Sequence, residues 1–108
     1  MSSDTSGFVP VCKVGDVADP GKAIIEVEDR LLALFHLDGE FYCIDDLCTH
    51  DGGPLGEGDL EGHEIVCPRH GARFDIRTGK ALTMPATSPT AAHEVRVEGD
   101  QVFVRLRA

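Results

Sequence analysis

The stretch "HEVRVEGDQVFVRLR" (residues 93–107) holds the clearest structural signal in the chain. His93, Val95 and Val97 alternate with Glu94, Arg96 and Glu98. Beyond Gly99-Asp100, Val102, Val104 and Leu106 alternate with Phe103, Arg105 and Arg107. Successive side chains of a β-strand point to opposite faces, so a period of two marks two half-buried strands. A Gly-Asp dipeptide between them is a two-residue hairpin connection. The segment predicts an antiparallel hairpin.

Moving toward the N-terminus, the same logic repeats. "EFYCI" (40–44) follows Asp38-Gly39, a strong two-residue turn signal. "KAIIEVE" (22–28) and "LLALFHL" (31–37) are separated by Asp29-Arg30, again a hairpin spacing. "FVPVCKV" (8–14) is apolar and β-branched, and Pro10 assigns it to a sheet edge. No segment reads as a persuasive helix. "VGDVADPG" (14–21) has room for one short turn, with Asp16 capping it. Connections this short exclude parallel crossovers, so the expected fold is all-β and antiparallel.

The chain has 108 residues, 42% of them hydrophobic, which predicts one globular domain. The net charge of −9 makes nucleic acid and anionic membranes poor partners, because phosphate binding requires Lys and Arg. There is no long apolar run, so no membrane span is expected. The opening "MSSDTSGF" lacks the basic and apolar pattern of a signal peptide, and a soluble, cytoplasmic protein is expected.

Residues 45–85 differ from their flanks. They are rich in Gly and Pro and poor in alternation, a length of irregular chain that is unusual unless functional. The expected organisation is a β scaffold, about 1–44 and 86–108, with an inserted loop module, about 45–85. That module holds Cys48 and His50, then Cys67 and His70. Four such residues suit a Cys2His2 zinc site. Zinc sites usually group two Cys first and two His later, whereas here each loop offers one of each. A dinuclear cluster with inequivalent irons requires that order, because each loop must then serve both metals. Cys12 and Cys43 fall in apolar strand segments and read as small buried hydrophobes. His36 and His93 also fall in strands and read as structural, and His63 lies in an acidic loop and reads as solvated. No G-x-G-x-x-G or P-loop is present, so no flavin or nucleotide site is expected.

At "CTH" (48–50) and "CPRHG" (67–71) the sequence resembles the two ligand loops of Rieske proteins, and the β-rich flanks extend the likeness over nearly the whole chain. The resemblance implies an antiparallel Rieske fold, a β-sandwich-like scaffold with an inserted cluster-binding subdomain. It implies one 2Fe–2S cluster, with Cys48 and Cys67 on one iron and His50 and His70 on the other. Rieske domains of cytochrome bc complexes have a further Cys in each loop, joined as a disulfide. The corresponding positions here are Gly53 and Arg69, so that bridge cannot form. Those high-potential proteins also place a Ser and a Tyr after the second loop, whose hydroxyls bond to sulfur. Here the positions are Ala72 and Phe74.

Hydrogen bonds to sulfur favour the more negative, reduced cluster, so their absence predicts a potential in the lower half of the Rieske range of roughly −150 to +300 mV. Arg69, Arg73, Arg77 and Lys80 oppose this, although exposed charges are screened. Gly52, Gly53, Gly56, Gly58 and Gly71 are expected to permit tight turns, and Pro54, Leu55, Met84 and Pro85 to shield the site. Residues 45–64 hold Asp45, Asp46, Asp51, Glu57, Asp59, Glu61 and Glu64 with no Lys or Arg, a run that either steers a basic partner or is a solvated loop. The function the resemblance implies is that of a monomeric electron carrier, a ferredoxin passing one electron from a flavoprotein reductase to a terminal oxygenase. The alternative it implies is the small subunit of an assimilatory NAD(P)H nitrite reductase.

Overall fold

A computed structural model of the chain describes residues 7–46, 55–68, 71–83 and 89–106. Nine strands lie in them: β1 (Val9–Lys13), β2 (Gly21–Val27), β3 (Arg30–Leu37), β4 (Glu40–Asp45), β5 (Asp59–Glu61), β6 (Glu64–Val66), β7 (Arg73–Asp75), β8 (Ala92–Glu98) and β9 (Gln101–Arg105). They form a six-stranded sheet of order β1-β9-β8-β4-β3-β2 and a three-stranded sheet of order β5-β6-β7. Every pairing is antiparallel. The fold is therefore all-β, as expected. Its helical content among the described residues is one 3-10 turn, Val14–Asp16, where Asp16 Oδ2 accepts the Lys13 N–H at 2.9 Å.

The hairpins carry the turn chemistry their sequences call for. Asp38-Gly39 has φ of 54° and 81°, the positive pair of a type I′ turn. Asp19 reinforces it, its carboxylate accepting the Asp38 and Gly39 N–H groups at 2.9 and 2.7 Å. At the end of the chain, Gly99 turns with φ 63° between β8 and β9. The β2–β3 turn is one residue earlier than Asp29-Arg30. Glu28 and Asp29 have φ of 52° and 67°, and Val27 pairs with Arg30. Asp29 tolerates left-handed φ, and either register places one long side chain there, Glu28 as observed or Arg30 otherwise. Arg30 is drawn into the strand, where its guanidinium grips Asp45 of β4 at 2.9 and 3.1 Å. Pro10 does lie on an edge strand, with an irregularity in register between Pro10 and Cys12.

The period of two divides β3 between two cores. Leu32 and Leu34 join Val17, Val27, Cys43, Val102 and Val104 inside the six-stranded sheet. Ala33 and Phe35 face the other way and join Ile44, Leu55, Ile65, Cys67, Ala72, Phe74 and Ile76. All four β3 residues are fully buried. Burying a Leu or Phe side chain stabilises by about 1.5–3 kcal/mol. The run Leu32–Phe35 is thus unbroken in its apolar character because it is the wall shared by both cores, and the β3–β4 wall joins the scaffold to the small sheet.

Cys43 is buried as expected, while Cys12 is only half-buried. Burial, and then the Asp45 carboxylate, push the Cys43 thiol up from 9.0 to about 12. The folded state then holds this proton more tightly than the unfolded chain. The resulting stability is complete below pH 9.0 and is lost as the pH rises toward 12. Urea unfolding should show this alkaline decline in the parent protein and a shallower one in Cys43→Ala. Equal slopes in the two proteins would assign the decline to another group.

Candidate metal centre

The second ligand segment begins where β6 ends. Val66 pairs with Arg73 and Ile65 with Phe74, so residues 67–72 form the connection between β6 and β7. The Cys67 N–H donates to the Ala72 carbonyl at 2.7 Å, and the Gly71 N–H donates back to the Cys67 carbonyl at 3.0 Å. Gly71 has φ 76°, a conformation glycine adopts without strain. Cys67 is 1% exposed and free of any disulfide. Its surroundings are Leu55, Ile65, Ala72 and Phe74, all fully buried. A buried, unbridged sulfur presented at the β6–β7 connection and shielded from water by apolar side chains fits a metal ligand. Cys48, His50 and His70 lie outside the described residues, as do Gly52, Gly53, Pro54, Arg69, Met84 and Pro85.

The first ligand segment departs from the end of β4, where several groups converge. The Asp45 N–H donates to the Ala91 carbonyl at 2.8 Å, and the Asp46 N–H to the Leu31 carbonyl at 3.1 Å. The Asp45 carboxylate receives Arg30 and also His93, whose Nε2 lies 2.7 Å from Oδ1. The His93 side chain is fully buried, so this histidine is structural, as expected. His36 is structural too. Its Nδ1–H donates to the Val17 carbonyl at 2.8 Å, and its ring stacks on Phe41 with centroids 4.0 Å apart. His63 departs from expectation. It is half-buried and meets Tyr42 edge-on at 5.6 Å, while its carbonyl accepts the Ile76 N–H at 2.9 Å.

Beyond Leu55 the backbone folds tightly against β6. The Gly58 N–H donates to the Leu55 carbonyl at 2.9 Å. A Cβ on Gly58 would lie 1.7 Å from the Val66 carbonyl oxygen, one residue before Cys67. The glycine thus allows the close backbone approach expected of it.

Pairing changes the charge reading. Arg73 reaches Glu61 at 3.0 Å and Glu64 at 3.2 Å, and these contacts hold its guanidinium above its ordinary pKa range. Arg77 grips Asp75 at 3.0 Å, and that hydrogen bond holds the Asp75 carboxyl below the usual carboxylate range. Two of the cations expected to raise a cluster potential are therefore matched by anions. The acidic run is partly engaged likewise: Asp45, Glu61 and Glu64 are ion-paired and Asp46 accepts a backbone N–H. Among the described residues of that run, Glu57 and Asp59 stand exposed with no such partner. Arg73 is shared by Glu61 and Glu64, and a backbone N–H leaves the charge of Asp46 in place, so pairing trims the negative charge of the run without cancelling it.

A family profile described as the Rieske [2Fe-2S] domain matches residues 7–104. The 3-phenylpropionate/cinnamic acid dioxygenase ferredoxin subunit of Shigella flexneri serotype 5b (strain 8401) is 44% identical over 96 residues, covering 88% of this chain and 90% of its own. Among solved structures, the ferredoxin of carbazole 1,9a-dioxygenase from Nocardioides aromaticivorans IC177 superimposes with a TM-score of 0.90 at 28% identity, over 94% of this chain and 100% of its own. A ferredoxin solved in complex with the reduced oxygenase of a carbazole 1,9a-dioxygenase superimposes with a TM-score of 0.86 at 33% identity, over 92% and 93% of the two chains.

Proposed function

The chain belongs to the Rieske [2Fe-2S] domain family, and on that premise we propose that it is the ferredoxin component of a multicomponent oxygenase system. The observation that carries the reading is the 44% identity to a dioxygenase ferredoxin subunit over nearly the full length of both chains. Such a component is not itself an enzyme. One 2Fe–2S cluster, when bound, supplies one-electron redox chemistry, cycling between an oxidised and a one-electron-reduced state.

Cys48 and Cys67 would hold one iron, and His50 and His70 the other. Cys67 offers its sulfur from a turn stiffened by two backbone hydrogen bonds. Leu55, Ile65 and Phe74 exclude water from it. The whole chain, 1–108, is read as one Rieske domain. We read its scaffold as about 1–44 and 86–108 and its cluster-binding part as about 45–85, a division supported by β5, β6 and β7 falling within 45–85. The partners are a flavoprotein reductase as donor and a terminal oxygenase as acceptor, the latter supported by the ferredoxin–oxygenase complex of a relative. We place the protein in the cytoplasm as a monomer, with neither nucleic acid nor membrane as partner. No helix of the described residues is long and apolar enough to cross a membrane.

The potential should be low. Ala72 and Phe74 are fully buried and have no hydroxyl, so neither they nor water at their positions donates to sulfur. Arg73 and Arg77 are ion-paired, which weakens the opposing charge effect. The purified protein should show visible absorption that dithionite bleaches, and one unpaired spin per two irons on reduction. A redox titration should give a midpoint below about +150 mV, and a Rieske oxygenase should reoxidise the reduced protein. A colourless zinc protein, or a midpoint above that value, would refute this reading. Copurification with the large subunit of a nitrite reductase would favour the alternative in its place.

A further inference from the structure

The chain between Asp46 and Leu55 carries two of the four proposed ligands, Cys48 and His50. Its two ends are fastened to each other. The Gly56 N–H donates to Asp46 Oδ1 at 2.6 Å. Asp46 is in turn fixed to the six-stranded sheet through its own N–H on the Leu31 carbonyl, at 3.1 Å. Gly56 is buried, and a Cβ there would lie 2.1 Å from Ile24 Cδ1 and 3.1 Å from the accepting oxygen of Asp46, so the glycine leaves room for this approach with Ile24 in place. The next residue back, Leu55, is fully buried in the same cluster as Cys67.

We propose that Asp46 is a positioning residue for the cluster: its carboxylate oxygen clasps the exit of the first ligand segment to its entrance, and so sets where the Cys48 sulfur stands relative to Cys67. The proposal rests on the Rieske reading. Its logic is geometric. Two thiolates on one iron must converge within bonding distance, and Cys67 is held rigidly by β6 and β7. Cys48 follows Asp46 by two residues in sequence, so Asp46 is the described anchor nearest to it on that side. Polar groups that orient metal ligands typically contribute 10–100-fold to metal retention.

The test compares Asp46→Ala, which removes the acceptor, with Asp46→Asn, which keeps an oxygen in the same place. In Asp46→Ala, transfer of iron to a chelator should accelerate on the order of 10–100-fold. The Gly56 amide should lose its protection from hydrogen exchange, and the g-values of the reduced cluster should shift. Asp46→Asn should restore most of all three, a rescue that a role in surface charge would not give. An Asp46→Ala protein with parental iron release and g-values overturns the clasp. So does an Asp46→Asn protein as impaired as Asp46→Ala, since charge and not acceptance would then be at work. Failure of the underlying reading is distinct: the parent protein would itself assemble no 2Fe–2S cluster.

Discussion

Cys67→Ala yields a colourless protein that still forms its six-stranded sheet. Cys67 lies in the buried cluster between β3–β4 and the small sheet, with Ala33, Phe35, Ile44 and Phe74. The scaffold core of Leu32, Leu34, Cys43, Val102 and Val104 is separate from it. Removing one buried sulfur costs on the order of 1 kcal/mol of packing, close to the contribution of a buried methylene. In the proposed ligand set it removes one of the two thiolates that would hold one iron, and the side chains of Ala72 and Phe74 beside it offer no donor atom in its place. Iron and sulfide content should fall to background while far-ultraviolet circular dichroism keeps its β signature. Cys12→Ala and Cys43→Ala should both stay coloured, because their thiols sit in or against the other core. A Cys67→Ala protein with full iron content would remove Cys67 from the ligand set.

The second large effect is steric. A Gly58→Ala protein is expected to lose about 3 kcal/mol of stability, the upper end of the overpacking range, and with it most of its cluster. The new Cβ would meet the Val66 carbonyl oxygen at 1.7 Å and its carbon at 2.9 Å, and both are backbone atoms. They cannot swing aside, because Val66 is paired with Asp59 on one side and Arg73 on the other. Relief requires β5 to separate from β6, which moves the strand that delivers Cys67. Gly62→Ala, in the turn of the same hairpin, is the control. Gly62 has φ 61° but open space around it, so Ala there meets only the left-handed backbone cost of roughly 1–2 kcal/mol. Thermal melts should rank parent, Gly62→Ala and Gly58→Ala in that order, the last lowered by roughly 12–24 °C. Equal melting points for the two variants would show that the hairpin yields freely.

Much of the scaffold was legible from local pattern. The alternation of 93–107 became β8 and β9, and Asp38-Gly39 became a type I′ turn. Pro10 correctly marked an edge. The β2–β3 turn was misplaced by one residue because Asp29-Arg30 and Glu28-Asp29 differ little in turn propensity. What separates them is the grip of Arg30 on Asp45, fifteen residues away. The order Cys-His, Cys-His suggested the proposed donor set, and of its four residues Cys67 alone lies among the described ones, where it is buried at the β6–β7 connection. The supports of the site were not legible. Nothing local tells that Asp46 accepts the Gly56 N–H, that His63 packs against Tyr42, or that Arg73 is matched by Glu61 and Glu64.

Sequence alone therefore determined the strand periods and the Asp38-Gly39 turn, because each depends on the stereochemistry of neighbouring residues, and it supplied the mixed Cys-His pairs on which the ligand proposal rests. Tertiary structure alone decided that β3 is a wall with a core on each face, that Asp45, Glu61 and Glu64 of the acidic run are ion-paired, and that Asp46 accepts the Gly56 N–H while Gly58 packs against the Val66 carbonyl. The physical reason is range. A hydrogen bond, an ion pair or a backbone contact acts over a few ångströms, and only folding brings residues that are 8–48 positions apart within that reach.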